Sequence, residues 1–444
     1  MKILDQIAAE LQGYDPQAMS ADAVLEFLSR LVTPVQESLE LPLFDALGRV
    51  LAADVLAPLN VPPHDNSAMD GYAFDGAQLA AGTALELQVV GTALAGKAWQ
   101  GGVERGQCVK IMTGAIMPKG LDTVVPQEMV SRRPGFITIP AGVLQPGDNR
   151  RLRGEDLAQG QPALRQGKLL TPARLGLAAS LGLPVLKTWR PLRVAYFSTG
   201  DEILSLGEAP REGAVYDSNR YTLFGLLSRL GCQIIDLGVV RDDPALLETA
   251  FTRAAQQADA IITSGGVSMG EADHTKAMMK QLGDVAFWRI AMRPGRPMAV
   301  GRMRPASPAC NAGAADNASA ASPSQPKGAL LFGLPGNPVA AMVTFLAFVR
   351  PALLQMMGAS AQPQPLLRAR SLEAIHKKPG RTEYQRGCVS TTPDGRLQVK
   401  TTGSQGSGVL RSMAEANGLI VLHHAQGNVA IGDEVEVLMF DGAI

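Results

Sequence analysis

The stretch from Ala258 to Lys276 constrains this chain more than any other. An apolar run, Ala260-Ile261-Ile262, stops at Thr263-Ser264-Gly265-Gly266 and gives way to acidic residues and a helix-compatible segment. That pattern predicts a buried strand ending in a glycine turn that opens toward a helix. In open α/β sheets, ligands bind at strand ends of this kind. Glycines let backbone N–H groups approach an anion without a Cβ in the way, and a helix N-terminus adds favourable partial charge. Two carboxylates, Glu271 and Asp273, stand just beyond the turn. Carboxylates repel a phosphate unless a cation lies between them, so the local chemistry points to a metal-bridged, phosphorylated ligand.

The same grammar runs from 191 to about 358. Leu192 to Phe197 reads as a strand, and Asp217-Ser218 caps a helix ending near Gly231. Ile234 to Val240 is the next strand, followed by a helix that begins at Asp243-Pro244. The strand at 259–264 comes third, and Ala329 to Leu334 feeds a long helix from Pro338. Such alternation predicts a mostly parallel sheet covered on both faces. Around it the pattern changes. Ser20 caps an amphipathic helix over 20–32, and residues 50 to 150 break into short strands punctuated by Gly and Pro. Thr171-Pro172 starts a helix running to Gly182. Strands return from about 363, with Asp394-Gly395 expected as the hairpin turn between Cys388–Thr391 and Leu397–Thr401. The expected domains are therefore 1–50 with 147–190 as a helical and linking domain, 51–146 as a β-rich domain, 191–358 as the α/β domain, and 363–444 as a C-terminal β domain. Arg304 to Lys327 is almost entirely Ala, Ser, Pro, Asn and Gly, and reads as a mobile surface insertion without core residues.

Composition narrows the function. The chain has 444 residues, enough for about three domains. Lys plus Arg and Asp plus Glu both total 41, so no global field draws it to nucleic acid or to a membrane. Cys108, Cys232, Cys310 and Cys388 form no CxxC pair, and neither a zinc site nor a disulfide framework is indicated. A reducing cytoplasm is the expected home, and at the N-terminus, Met1-Lys2-Ile3-Leu4-Asp5-Gln6, polar and acidic residues stand where a signal peptide would have an apolar core. Val339 to Val349 is apolar and is expected to end at Arg350-Pro351, as a core helix rather than a membrane span.

Parallel strands bring their C-terminal ends to one edge. Glu202 follows the first strand, Asp242 the second and Asp273 the third, so the three carboxylates can meet there. Such a set suits a hard divalent cation, most simply Mg²⁺ shared with substrate phosphates. Asp243 is the helix cap, which leaves Asp242 free. Arg293-Pro294-Gly295-Arg296 places two guanidinium groups on one tight turn, a fork suited to tetrahedral oxyanions. Leu334-Pro335-Gly336-Asn337-Pro338 is a further strand end and helix start. In the β-rich domain, Asn66 to Ala73 and Met112 to Ala115 are dense polar loops. His64 has no partner at ligand spacing and reads as structural.

Asn66-Ser67-Ala68-Met69-Asp70-Gly71-Tyr72-Ala73, Thr113-Gly114-Ala115, Ser198-Thr199-Gly200-Asp201-Glu202, Ser264-Gly265-Gly266-Val267-Ser268, Arg293-Pro294-Gly295-Arg296-Pro297 and Leu334-Pro335-Gly336-Asn337-Pro338 occur in this order. With them the chain resembles, over nearly its whole length, the molybdopterin molybdenumtransferases, MoeA-type bacterial enzymes related to the E domain of gephyrin. The resemblance implies a central three-layer α/β molybdopterin-binding domain with a mostly parallel sheet, a β-rich inserted domain and a small C-terminal β-barrel. It implies insertion of molybdate into adenylylated molybdopterin with release of AMP, in an elongated homodimer, alongside other molybdenum cofactor biosynthesis proteins. The hinge-like linkage around Pro146–Thr171, which could hold the β-rich domain away from its own cleft, leads to the expectation of sites shared between the two chains. Asp70, Thr113, Glu202, Asp242 and Asp273 would then serve the active site. Ser264, Gly265, Gly266, Ser268, Arg289, Arg293, Arg296, Pro335, Gly336, Asn337, Pro338, Arg386 and Ser407 would bind substrate or molybdate, by position within the matching motifs. Arg stands at 289, 293 and 296 where relatives often carry Lys, and the 304–327 insertion departs from the usual pattern. Two rivals remain: adenylylation of molybdopterin, against which the extra β domains argue, and a non-catalytic scaffold, against which the intact acids argue.

Overall fold

The computed structural model describes residues 3–12, 14–267, 274–305, 328–360 and 364–440. Most of the predicted insertion, 306–327, lies outside the described residues. The chain divides into two units, one made of Met1–Leu39, Gly48–Ala52 and Lys187–Ile444, the other of Glu40–Leu47 and Ala53–Leu186.

The first unit is built on a six-stranded sheet in the order Gln233–Val240, Arg193–Thr199, Ala260–Ser264, Ala329–Leu334, Pro297–Met303, Gly283–Arg289. The first four strands run parallel, Pro297–Met303 runs antiparallel to both of its neighbours, and Gly283–Arg289 again runs with the first four. The chain starts in Arg193–Thr199, goes outward to one neighbour and then crosses to the other, so a topological switch lies beside that strand. Alternate side chains feed two cores. Val194, Tyr196, Ile262 and Phe332 pack on one face with Leu223, Leu227 and Val343, while Ala195, Phe197, Ile261 and Leu331 pack on the other with Leu247, Phe251 and Met279. This is the period-2 alternation of strands buried on both faces.

Local signals set the helices. Ser20, Asp217 and Asp243 each accept a backbone N–H of their own first turn, and Pro244 follows Asp243 at the first helical position. One helix departs from expectation. Pro338–Met356 runs as a single helix through Pro351, with a π turn at Phe345–Val349. Proline lacks an N–H and crowds the carbonyl four residues back, and a wider turn relieves both problems. The helix is long and apolar enough to cross a membrane, yet 72% of that stretch is buried within the protein, as suits a core helix.

The helix Ala21–Leu31 packs on this sheet, and strand Ser38–Pro42 that follows it pairs with Val185–Trp189. Phe27 of helix Ala21–Leu31 meets Trp288 edge to face at 4.9 Å, and Leu31, Leu353 and Met356 share the same core. The expected domain of 1–50 with 147–190 is therefore divided between the two units.

At the C-terminus, strands Thr382–Thr391, Leu397–Thr401, Leu367–Ser371, Glu434–Met439 and Gly418–Leu422 pair in sequence, and the last pairs back with the first to close a five-stranded barrel. Met292–Arg293 adds in parallel to Thr382 and Glu383. The expected Asp394-Gly395 hairpin is a longer loop. Gly395 N–H reaches the Thr392 carbonyl and Gly395 adopts φ +82°, so Pro393-Asp394 form the turn and Gly395 follows in the left-handed region.

The second unit carries a six-stranded sheet in the order Thr123–Pro126, Gly71–Phe74, Gln107–Ile111, Leu85–Ala93, Phe136–Ile139, Ser131–Arg133. It too is covered on both faces, Tyr72 and Phe74 in one core and Ala73 in the other. Within the same unit, Pro162–Leu164 pairs with Val55–Leu56 in a separate two-stranded sheet.

Candidate functional site

The C-terminal ends of the parallel strands open into a cavity of about 1260 Å³ in the first unit. Its floor is the switch point. Thr199 ends one strand, Ser264-Gly265-Gly266 ends the next, and Pro335-Gly336-Asn337-Pro338 follows the third. Gly265 and Gly266 hold φ of +96° and +66°. A Cβ on Gly265 would strike the Thr199 carbonyl oxygen, and one on Gly266 would strike the Thr275 side chain, so the turn needs glycine for both conformation and space.

Glu202 and Asp242 both line this cavity. The Glu202 carboxylate folds back over Gly200. Asp242 Oδ1 accepts the Thr275 backbone N–H at 3.1 Å and the Thr275 hydroxyl at 3.0 Å, and that hydroxyl also meets Thr199 Oγ1 at 2.8 Å. Asp242 thereby anchors the first turn of helix His274–Leu282 to the cavity wall. Asp273 and Ser268 lie outside the described residues. Among those described, no group of three His, Cys, Asp or Glu side chains stands close enough to hold a metal ion unaided. Glu202 and Asp242 offer a pair of hard oxygen donors.

The opposite chemistry comes from arginine. Arg293 and Arg296 line the cavity on their turn, and Arg381 joins them from the barrel. Arg381 is fixed by a buried acid: its Nε donates to Glu383 Oε1 at 2.8 Å, and Gln385 Nε2 donates to Glu383 Oε2 at 3.0 Å. The pairing of Arg293 with Glu383 in the sheet register holds the Arg293 turn beside this pair.

Arg386 is placed differently from the role expected for it. It is fully buried and outside the cavity lining. Its Nε donates to Ser412 Oγ at 3.0 Å, and its Nη2 donates to the Ser404 and Gly406 carbonyls at 3.2 and 3.0 Å. Burial first, then the nearby Arg293 charge, pull its pKa down to about 10. Arg386 therefore shapes the loop that carries Ser407, and Ser407 does line the cavity. The Ser407 carbonyl accepts the Val339 N–H at 3.1 Å, and Pro338 has no N–H. The helix start thus offers fewer free donors than its sequence suggests. Arg289 is exposed and outside the lining, and its backbone bonds to Pro16 and Met19 instead.

Asp70 and Thr113 meet in the second unit. Thr113 donates its backbone N–H and its hydroxyl to Asp70 Oδ1, each at 2.7 Å, and these bonds hold the Asp70 carboxyl below the ordinary carboxylate range. The loops are cross-tied by Gly114 N–H to the Ser67 carbonyl at 2.8 Å.

Among the lining residues that the sequence reading did not assign to the site are Asp217, Asn219, Thr275 and Arg381. Asp217 was legible only as the helix cap that it also is, bonding Arg220 N–H at 3.1 Å. Asn219 left a trace, a polar residue on what should be the apolar face of a covering helix. Nothing in sequence separates Arg381 from other barrel arginines.

The MoeA N-terminal region (domains I and II) matches residues 19–182, a probable molybdopterin-binding domain matches 195–355, and the MoeA C-terminal region (domain IV) matches 368–440. A molybdopterin molybdenumtransferase of Haemophilus influenzae is 39% identical over 94% of this chain and 97% of its own length. One from a Nostoc species is 35% identical over 89% and 87%. Among solved structures, a molybdopterin biosynthesis MoeA protein from Pyrococcus horikoshii OT3 covers 95% of this chain and 100% of its own at 26% identity, with a TM-score of 0.76. The chain belongs to the molybdopterin molybdenumtransferase (MoeA) family, transferases of molybdenum cofactor biosynthesis.

Proposed function

We propose that this chain inserts molybdate into adenylylated molybdopterin and releases AMP. One juxtaposition supports this most: a cavity with two carboxylates, Glu202 and Asp242, and three arginines, Arg293, Arg296 and Arg381, around glycine turns at a sheet switch point. Molybdate is a tetrahedral dianion, and the arginines supply forked donors for it. A cavity of about 1260 Å³ also exceeds the range common for one small ligand, which suits a nucleotide-bearing pterin together with an oxyanion.

Mg²⁺ fits the donor set. Glu202 and Asp242 would hold it, joined by Asp273 on its motif, with phosphate oxygens and water completing the shell, the usual arrangement for this ion. When bound, the ion draws negative charge away from the phosphoanhydride that is cleaved. The protein's own part is positioning. Ser264 to Gly266 and Pro335 to Asn337 cradle the phosphates, Asp242 keeps the Thr275 turn in place, and the arginines set the oxyanion beside the pterin sulfurs. Those sulfurs belong to the ligand, so no cysteine is called for.

We place the enzyme in the cytoplasm as a homodimer working with other molybdenum cofactor biosynthesis proteins. Phe44 is 98% exposed in the second unit, and Leu47 and Leu56 are exposed as well, which suits burial against a second copy. The test of the activity is incubation of purified protein with adenylylated molybdopterin, molybdate and Mg²⁺, following AMP. Release should require both molybdate and Mg²⁺. Equal release with a chelator present removes the metal from the proposal, and no release under any condition removes the activity.

A further inference from the structure

Asn219 occupies the first turn of helix Ser218–Arg229 and is 7% exposed, in the wall of the cavity. A buried carboxamide opposes folding unless its hydrogen bonds are made. Both donors are used. Nδ2 reaches Ser264 Oγ at 2.6 Å and the Gly336 carbonyl at 2.7 Å. Ser264 ends one parallel strand, and Gly336 sits in the turn after the neighbouring strand.

These strands stay in register up to Ser264 opposite Leu334, and Gly265 N–H reaches the Leu334 carbonyl at 3.1 Å. Past that point the chain leaves in two separate turns, and the Asn219 side chain bridges them. Thr199 and Thr275 pack against Gly265 and Gly266, so the first turn is held by three contacts from three other segments. A purely structural bridge needs only donors. Yet Asn219 Oδ1 is buried without a partner, as is Asp217 Oδ2 two residues earlier. Two unpaired acceptors in a cavity wall oppose folding, and nothing in the helix itself requires them.

We propose that Asn219 is a positioning residue for the phosphate-bearing end of the substrate. Its carboxamide sets the spacing between the Ser264–Gly266 turn and the Gly336–Asn337 turn, so that both serve one phosphate. This rests on the adenylylated-substrate reading of the cavity.

The experiment uses full-length Asn219→Ala and Asn219→Ser. Serine suits a first helical turn but is too short to span both acceptors. AMP binding is followed by calorimetry, and KM is measured separately for adenylylated molybdopterin and for molybdate. In either variant AMP binding and the KM for the adenylylated substrate should weaken ~10-fold, equivalent to about 1.4 kcal/mol, while the KM for molybdate holds. Adding Ser264→Ala should cost less than the product of the single effects, because both changes break one bridge. Unchanged AMP affinity in a folded variant, or equal loss toward both substrates, overturns the proposal. If the unaltered protein neither binds AMP nor releases it from substrate, the adenylylated-substrate reading itself falls.

Discussion

Asp242→Asn separates the two jobs that the Asp242 carboxylate performs. Its Oδ1 accepts two hydrogen bonds from Thr275, at 3.1 and 3.0 Å, and an amide oxygen in the same place can accept both. Each bond changes from charged to neutral, a loss of about 1 kcal/mol apiece, so stability should fall by at most about 2 kcal/mol. Asp242→Ala removes both bonds and leaves the Thr275 N–H without its acceptor, at about 2–4 kcal/mol. The charge facing the cavity disappears in both variants. Turnover should therefore fall on the order of 10²-fold, about 2.7 kcal/mol of transition-state stabilisation, in each. Urea unfolding distinguishes the two proteins, while AMP release titrated with Mg²⁺ should treat them alike and show a raised Mg²⁺ requirement. Near-normal turnover with an unchanged Mg²⁺ dependence in Asp242→Asn would mean that the carboxylate only anchors helix His274–Leu282, and the metal reasoning would be wrong.

Partial burial of Asp259 raises its pKa, but Arg190 in a bidentate pair at 2.7 and 2.8 Å and the Arg193 N–H at 2.8 Å outweigh that and lower it overall. Its stabilising effect is present above the ordinary value of 3.8 and is lost as pH falls below that toward the folded value. Asp259→Asn should therefore cost about 2–3 kcal/mol at neutral pH, a gap that closes in acid; a gap constant with pH in urea titrations argues against the pair. Met303 and Ala329 are paired in register, so deleting 306–327 and joining the ends by a short Gly-Ser turn should change thermal midpoint and AMP release little; a large drop in midpoint counts against it. If the homodimer shares its sites between chains, Asp70→Ala protein mixed with Asp242→Asn protein should recover activity well above either parent once subunits exchange. Verified heterodimers without activity would place both residues in the service of one chain.

What the sequence made legible was local. Ser20, Asp217 and Asp243 cap helices because capping needs only a side-chain oxygen and the next few N–H groups. Strand Ala329–Leu334 was bounded correctly by its own apolar run and the turn after it. The errors arose where distant packing overrode a local rule. Proline should end a helix, yet the buried face of Pro338–Met356 holds enough core contacts to carry Pro351 behind a π turn. The attachment of the N-terminal helices was equally hidden, since nothing in the spacing of Phe27 and Leu31 names Trp288 as their partner.

The candidate site divides in the same way. Glu202, Asp242, Ser264 and the Pro335–Pro338 turn could be expected together because parallel strands deliver their C-terminal ends to one edge, whatever their order in the sheet. The barrel's contribution has no such rule. Arg381 and Arg386 belong to the same segment, but side chains of a strand alternate between faces, and five residues separate opposite sides. One arginine reaches the cavity braced by Glu383, and the other is enclosed among Ser404, Gly406 and Ser412. Only closure of the barrel decides which is which. The enclosed arginine still bears on the chemistry: by fixing the loop through two carbonyls it sets where Ser407 meets the helix start, and its buried charge adds to the positive field of Arg293. On the proposed reading, an oxyanion beside Arg293 would meet more positive charge than the side chains it touches supply, which is a reason for arginine rather than a neutral residue at position 386.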